Sequence, residues 1–119
     1  MKMQKRFYGG RLIVRGNKIK NYIRANRYKK LKVENVAAHF NLSKKEIQHR
    51  LRFDLNDTFS SILQEARIEE VCRLLRKTDK KLKEIAYMCG YYDAPYMNRV
   101  FRNMQNITPR RYRKKHRTL

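Results

Sequence analysis

Lys45, Gln48, His49 and Arg52 recur at the spacing that places four side chains on one face of an α-helix. Fifty positions further on, Pro95, Asn98, Arg99 and Arg102 repeat that spacing. Neither stripe holds an acid. Glutamine and asparagine can pair with adenine through two hydrogen bonds, arginine can do the same with guanine, and lysine or arginine can neutralise phosphate. These are the side chains that read a DNA major groove. Lys44 and Tyr96, beside the stripes, complete the two sets of candidate contacts. A solvated polar surface would use some of the same residue types. Acid-free stripes at equivalent places of two helices favour contact with DNA.

Each stripe needs a helix with a buried face behind it. Ile47 and Leu51 supply the inward positions of the first and Met97 and Phe101 those of the second. Ser43-Lys44-Lys45-Glu46 has the capping-box form that opens a helix, while Asp93 is a cap candidate with Pro95 in the first turn, where a missing amide costs little. Ahead of each lies a shorter apolar set, Val33, Val36, Ala37 and Phe40 in one case and Leu82, Ile85, Ala86 and Cys89 in the other. These sets end at Asn41 and Gly90, residues that tolerate a tight turn. Two short helices joined by a tight turn form a helix-turn-helix.

The two pairs are copies of one another. Val33, Val36 and Ala37 fall on Leu82, Ile85 and Ala86 at an offset of 49. After the turn the offset is 50, pairing Ile47 with Met97, Leu51 with Phe101, Asn56 with Asn106 and Thr58 with Thr108. One residue inserted in the second turn accounts for the change. An earlier helix is expected from a cap at Asn17 to about Lys29. A longer one, from about Thr58 to Arg76, carries Phe59, Ile62, Leu63, Ala66, Val71, Leu74 and Leu75 and joins the copies.

The expected fold class is all-α, with about seven helices in two helix-turn-helix subdomains joined by a long connecting helix. The expected divisions are a basic arm over residues 1–17, a first subdomain over 18–57, the connecting helix over 58–76, a second subdomain over 77–113 and a basic tail over 114–119. Phe7-Tyr8-Gly9-Gly10-Arg11-Leu12 suits either a small hairpin around the glycines or an arm lying along phosphates or the minor groove.

Charge supports the same reading. The chain has 119 residues and a net charge of +21, a combination that makes sense chiefly beside a polyanion. Residues 1–33 hold twelve Lys and Arg and no acid, residues 34–109 hold thirteen and all ten acids, and residues 110–119 hold six and none. The split is therefore +12, +3 and +6. Arg110, Arg111, Arg113 and Lys114 are the candidate phosphate contacts.

The same composition disfavours other classes. No Gly-rich phosphate loop or paired-carboxylate site is visible, and Cys72 and Cys89 sit at apolar helical spacing, as packed thiols do, so neither is read as a catalytic alkyl acceptor. His39, His49 and His116 form no metal cluster, and neither a catalytic residue nor a cofactor is assigned. Arg67 and Asp93 are read as structural polar contacts. The basic segments lack the apolar face a membrane role requires, and Met1 to Gly16 has neither a secretory apolar run nor a spanning segment, so a cytoplasmic, nucleoid-associated location is expected. The principal rival is a general polyanion binder, an RNA-binding or nucleoid-type protein, for which the basic ends would suffice.

Ile85-Ala86, Gly90-Tyr91, Asp93, Tyr96-Met97, Arg99, Phe101-Arg102 and Thr108-Pro109 followed by Tyr112-Arg113 together resemble the signature of the DNA-binding domain of AraC/XylS-type bacterial transcription regulators. Val36-Ala37, Leu42-Ser43, Ile47, Leu51, Phe59, Leu63 and Arg67-Ile68 extend the resemblance over about residues 18–113. Asn56 and Asn106 stand where that family often has glycine, and Tyr91 and Met97 where it often has phenylalanine; turn geometry and apolar volume are kept. The resemblance implies a sequence-specific transcription regulator, of activator type, with two recognition helices in successive major grooves of double-stranded DNA. It also implies RNA polymerase as a partner. Pro95, Lys45 and His49 occupy variable base-reading places, so no target sequence carries over. With about seventeen residues before the first helix, no small-molecule effector domain is expected; the expectation is a stand-alone monomer on an asymmetric promoter site, controlled by its own abundance, with a piece of a larger regulator as the alternative.

Overall fold

The computed structural model describes residues 14–118 and, ahead of them, the backbone of two short strands, β1 (Phe7–Tyr8) and β2 (Arg11–Leu12). The strands pair antiparallel, Phe7 opposite Leu12 and Tyr8 opposite Arg11, which is the hairpin alternative; the intervening glycines lie outside the described residues. The body is all-α, with helices α1 (Gly16–Ala25), α2 (Val33–Phe40), α3 (Lys44–Leu55), α4 (Phe59–Lys77), α5 (Leu82–Met88), α6 (Ala94–Gln105) and α7 (Pro109–His116).

Two apolar cores divide this body. Ile19, Ile23, Val36, Ala37, Ile47, Leu51, Ile62 and Leu63 form the first, and Ile68, Val71, Leu75, Ile85, Ala86, Met97 and Phe101 belong to the second. α4 contributes to both. Its nineteen residues span about 28 Å at about 1.5 Å per residue, and its N-terminal half packs into one core while its C-terminal half packs into the other. Thr58 caps it, Oγ1 accepting from the Ser61 amide at 3.1 Å.

The duplication is physical as well as textual. Val36 and Ile85, Ile47 and Met97, and Leu51 and Phe101 are all fully buried. Asn56 and Asn106 both end a recognition helix in the left-handed conformation, with φ of 51° and 61°, and Thr58 and Thr108 both cap the helix that follows. The Leu42 amide bonds to the Ala37 carbonyl at 2.9 Å and the Tyr91 amide to the Ala86 carbonyl at 2.9 Å. The offset is thus still 49 at Leu42 and Tyr91, and it is 50 at the caps Ser43 and Asp93. Tyr92 is therefore the inserted residue.

Two expectations about the ends change. α1 begins at Gly16 and stops at Ala25, rather than running from an Asn17 cap to Lys29. Its opening amide, Gly16 N, donates to Asp54 Oδ2 at the end of α3, 2.6 Å away, so the cap comes from a residue 38 positions distant. A Cβ at Gly16 would stand 2.8 Å from Asp54 Cβ, which is why this approach takes glycine. The exit is closed early because Asn26 Nδ2 bonds back to the Tyr22 carbonyl and Arg27 to that of Arg24. At the other end, residues 114–116 continue α7 rather than forming a tail, and Thr118 N donates to Arg76 O at 3.1 Å. Arg117 pairs with Asp79.

Candidate nucleic-acid interface

α3 owes its start to the reciprocal box the sequence suggested: Ser43 Oγ accepts from Glu46 N at 3.0 Å and Glu46 Oε1 from Ser43 N at 2.8 Å. α6 starts on Asp93, whose Oδ1 accepts from Tyr96 N at 2.9 Å, with Pro95 in the first turn. With Ile47, Leu51, Met97 and Phe101 locked inward, each helix turns its polar stripe to solvent. Lys45, Gln48, His49, Arg52, Pro95, Arg99 and Arg102 are exposed. Asn98 is half-buried, and its Oδ1 is shielded from solvent without a hydrogen-bond partner.

An open groove of about 860 Å³ runs beside α6, lined by Pro95, Asn98, Arg99, Arg102, Asn106, Ile107, Thr108 and Arg111 among others. A smaller one of about 380 Å³ runs beside α3, lined by Gln48, Arg52, Asp57, Thr58 and Phe59 among others. At the offset of 50, Gln48 corresponds to Asn98, Arg52 to Arg102, Asp57 to Ile107 and Thr58 to Thr108. The fold thus builds the same groove twice, each time between a recognition helix and the capped start of the next helix. An amide and an arginine at matching places stand on each recognition helix, Gln48 and Arg52 on α3 and Asn98 and Arg102 on α6, and α6 adds Arg99 and Asn103.

The remaining candidates divide. Lys44 is held by Glu34 at 3.2 Å on the exposed surface, and the Glu34 carboxylate is kept below its ordinary range by a backbone hydrogen bond and by that lysine. Tyr96 packs edge-on to Tyr91, and Arg99 lies over the Tyr96 ring at 5.3 Å, so the arginine is oriented by an aromatic support. Arg110, Arg111 and Lys114 are exposed on α7. Arg113 corrects its reading: Nε and an NH2 group donate to the carbonyls of Leu75 (3.0 Å) and Thr78 (3.1 Å), so the guanidinium closes the end of α4 instead of facing outward.

Sequence reasoning passed over Phe53. It lies on α3 one turn beyond His49, 78% exposed and stacked on the His49 ring at 5.9 Å between centroids. An apolar residue that falls outside the inward set was the available signal. Cys72 and Cys89 are free, buried thiols, and desolvation raises both, Cys89 to about 12. Among the described residues no group of His, Cys, Asp and Glu has metal-binding geometry, and no helix is long and apolar enough to cross a membrane.

Two helix-turn-helix units sharing one long helix, each with an outward recognition helix, define a DNA-binding domain of the double helix-turn-helix class. Residues 36–115 match the family model described as "Helix-turn-helix domain", and the chain belongs to that family, the AraC type. It is 31% identical over 93 residues to the xylose operon regulatory protein of Haemophilus influenzae, covering 78% of this chain and 24% of that protein. An uncharacterized regulator of Escherichia coli K12, YijO, is 32% identical over 98 residues, covering 82% and 35%. The chain spans about a quarter to a third of the length of these relatives. Among solved structures, the C-terminal domain of the response regulator AraT from Geobacillus stearothermophilus superposes with a TM-score of 0.84 at 25% identity, covering 87% of each chain. An AraC-type regulator from Chromobacterium violaceum gives 0.76 at 25% identity, covering 84% of this chain and 89% of that one.

Proposed function

We propose that this chain reads double-stranded DNA by sequence, laying α3 and α6 in successive major grooves on one face of the duplex, and that it acts as a transcription activator. The observation that carries this reading is the groove built twice, with Gln48 and Arg52 in one copy and Asn98 and Arg102 in the other. A general polyanion binder needs charge but has no need of two matched, rigidly backed sets of amide and arginine. Because the two stripes differ in sequence, the site read by one chain is asymmetric and needs no second copy, so we take the active form to be a monomer. His49 and the Phe53 ring stacked on it suit an apolar contact with a thymine methyl. Arg110, Arg111 and Lys114, with the basic N-terminal residues, supply affinity for any phosphate backbone.

The activator role, exerted through RNA polymerase in the cytoplasm, draws on the family and on a solved neighbour, the xylose-binding transcription activator xylR, with a TM-score of 0.72 at 27% identity. Promoter-directed transcription in vitro, with and without the protein, tests it. Sequence reading is tested by Arg99→Ala, which should cost about 1–3 kcal/mol on a preferred duplex and little on random DNA. An equal loss on both would leave only the polyanion binder.

A further inference from the structure

Arg67, in the middle of α4, is 6% exposed and is the buried charged residue among those described. Its Nε donates to the Arg27 carbonyl at 2.8 Å and an NH2 group to the Lys29 carbonyl at 2.7 Å, both in the loop between α1 and α2 of the first unit. The guanidinium carbon lies 5.4 Å from the centroid of Tyr91, in the turn that leads into the second recognition helix. Tyr91 in turn donates its hydroxyl to Gln64 Oε1 of α4 at 2.7 Å.

The same place shows why the second turn has glycine. At Gly90, with φ of +88°, an added Cβ would stand 2.8 Å from the Arg27 carbonyl oxygen and 3.0 Å from that of Tyr28. The corresponding position in the first unit is Asn41, exposed and likewise left-handed. The backbone of the first unit is therefore pressed against the turn of the second, and Arg67 joins the two. A buried guanidinium has lost its hydration, and its fixed fork recovers hydrogen bonds only while both carbonyls stay in place.

We propose that Arg67 is a positioning residue that fixes the spacing and phase of the two recognition helices, so that the protein rejects sites whose two boxes are one base pair too close or too far apart. This rests on the two-groove reading above. One inserted base pair turns the second box by about 35° and moves it by about 3.4 Å, a displacement that a locked joint cannot follow and a loosened one can.

The test is a series of duplexes carrying the two boxes enriched by in vitro selection, with one base pair added or removed between them, titrated with the wild-type chain, Arg67→Lys and Tyr91→Leu. Circular dichroism and thermal melting select the variants that are folded. Lysine keeps the charge but lacks the fork; leucine keeps apolar volume but removes both the ring facing Arg67 and the hydroxyl. The wild type should lose roughly a hundredfold in affinity per base pair of wrong spacing, Arg67→Lys less than about tenfold, and Tyr91→Leu an intermediate amount. If Arg67→Lys does not fold, Tyr91→Leu decides. A folded variant that keeps the wild-type spacing penalty while losing affinity uniformly overturns the proposal. A wild-type chain indifferent to spacing would instead refute the two-groove reading itself, so the two failures are distinguishable.

Discussion

In the first unit the groove beside the recognition helix contains Gln48, Arg52, Thr58 and an acid, Asp57; in the second the same places hold Asn98, Arg102, Thr108 and the apolar Ile107, and Arg111 is added from α7. The buried positions, the left-handed exits at Asn56 and Asn106 and the threonine caps are shared. What the fold demands has been copied, and what meets solvent has diverged. The second groove is the larger and its lining holds no acid, while the first has Asp57 in its lining and its recognition helix carries the His49–Phe53 stack. The cores differ too. Phe40 and Leu42 of the first unit have Cys89 and Tyr91 as their counterparts, so the second core carries titratable groups where the first carries hydrocarbon.

The largest expected effect compares the cores directly. Phe101→Ala should cost about 3–5 kcal/mol and its counterpart Leu51→Ala about 2–5 kcal/mol, read from urea unfolding, with the larger ring leaving the larger cavity. A smaller loss at Phe101 would mean that the second core collapses around the gap and is the looser of the two.

Alkali should separate the units next. Burial raises the Cys89 thiol from 9.0 to about 12 and also raises Tyr91, each favouring the neutral form in the folded state. The stability these groups confer is complete below the ordinary thiol value and is lost as pH climbs from 9 toward 12, because the unfolded chain releases the proton more readily. Amide signals of the second unit should therefore broaden or exchange before those of the first as pH rises above 9. Simultaneous loss of both units would show that the shared α4 makes unfolding all-or-none. Prolonged exposure of the native protein to a thiol reagent at neutral pH should label neither cysteine.

Smaller effects probe the grooves. Arg102→Ala should weaken binding to a preferred duplex by about 1–3 kcal/mol, and Arg52→Ala by less because Asp57 already offsets its groove, as measured by fluorescence anisotropy at matched salt. Equal losses would mean that the acid does not influence the first groove. Smallest of all, Asp57→Asn keeps the acceptor used by Thr58 N and should strengthen binding to any duplex by about 0.5 kcal/mol, an effect that fades with added salt.

Much of this arrangement was legible in the residues because it depends on local spacing. The periodicity of Ile47, Leu51, Met97 and Phe101, the caps at Ser43 and Asp93, and the doubled Asn-x-Thr exits each act within a few positions. Apart from the early end of α1, which local bonds from Asn26 and Arg27 close, what the spacing missed involves partners distant in sequence. Asn17 looked like a cap because nothing local shows Asp54 arriving at Gly16 from α3. Arg113 looked like a phosphate ligand because its charge is visible in the sequence and the end of α4 beside it is not. Arg67 was read as structural, but its carbonyl partners lie 40 and 38 residues away. The inserted residue of the second turn became Tyr92 only when the matching hydrogen bonds of Leu42 and Tyr91 fixed where the offset changes.

The proposed mode of binding requires two unlike recognition helices, held in one frame, to read two unlike boxes. Selection of bound duplexes from a random library tests it most directly. The expected result is an asymmetric motif of two boxes with centres about one helical turn apart, about 34 Å. Recovery of unenriched sequence, or of a single box without a partner at fixed distance, would contradict it.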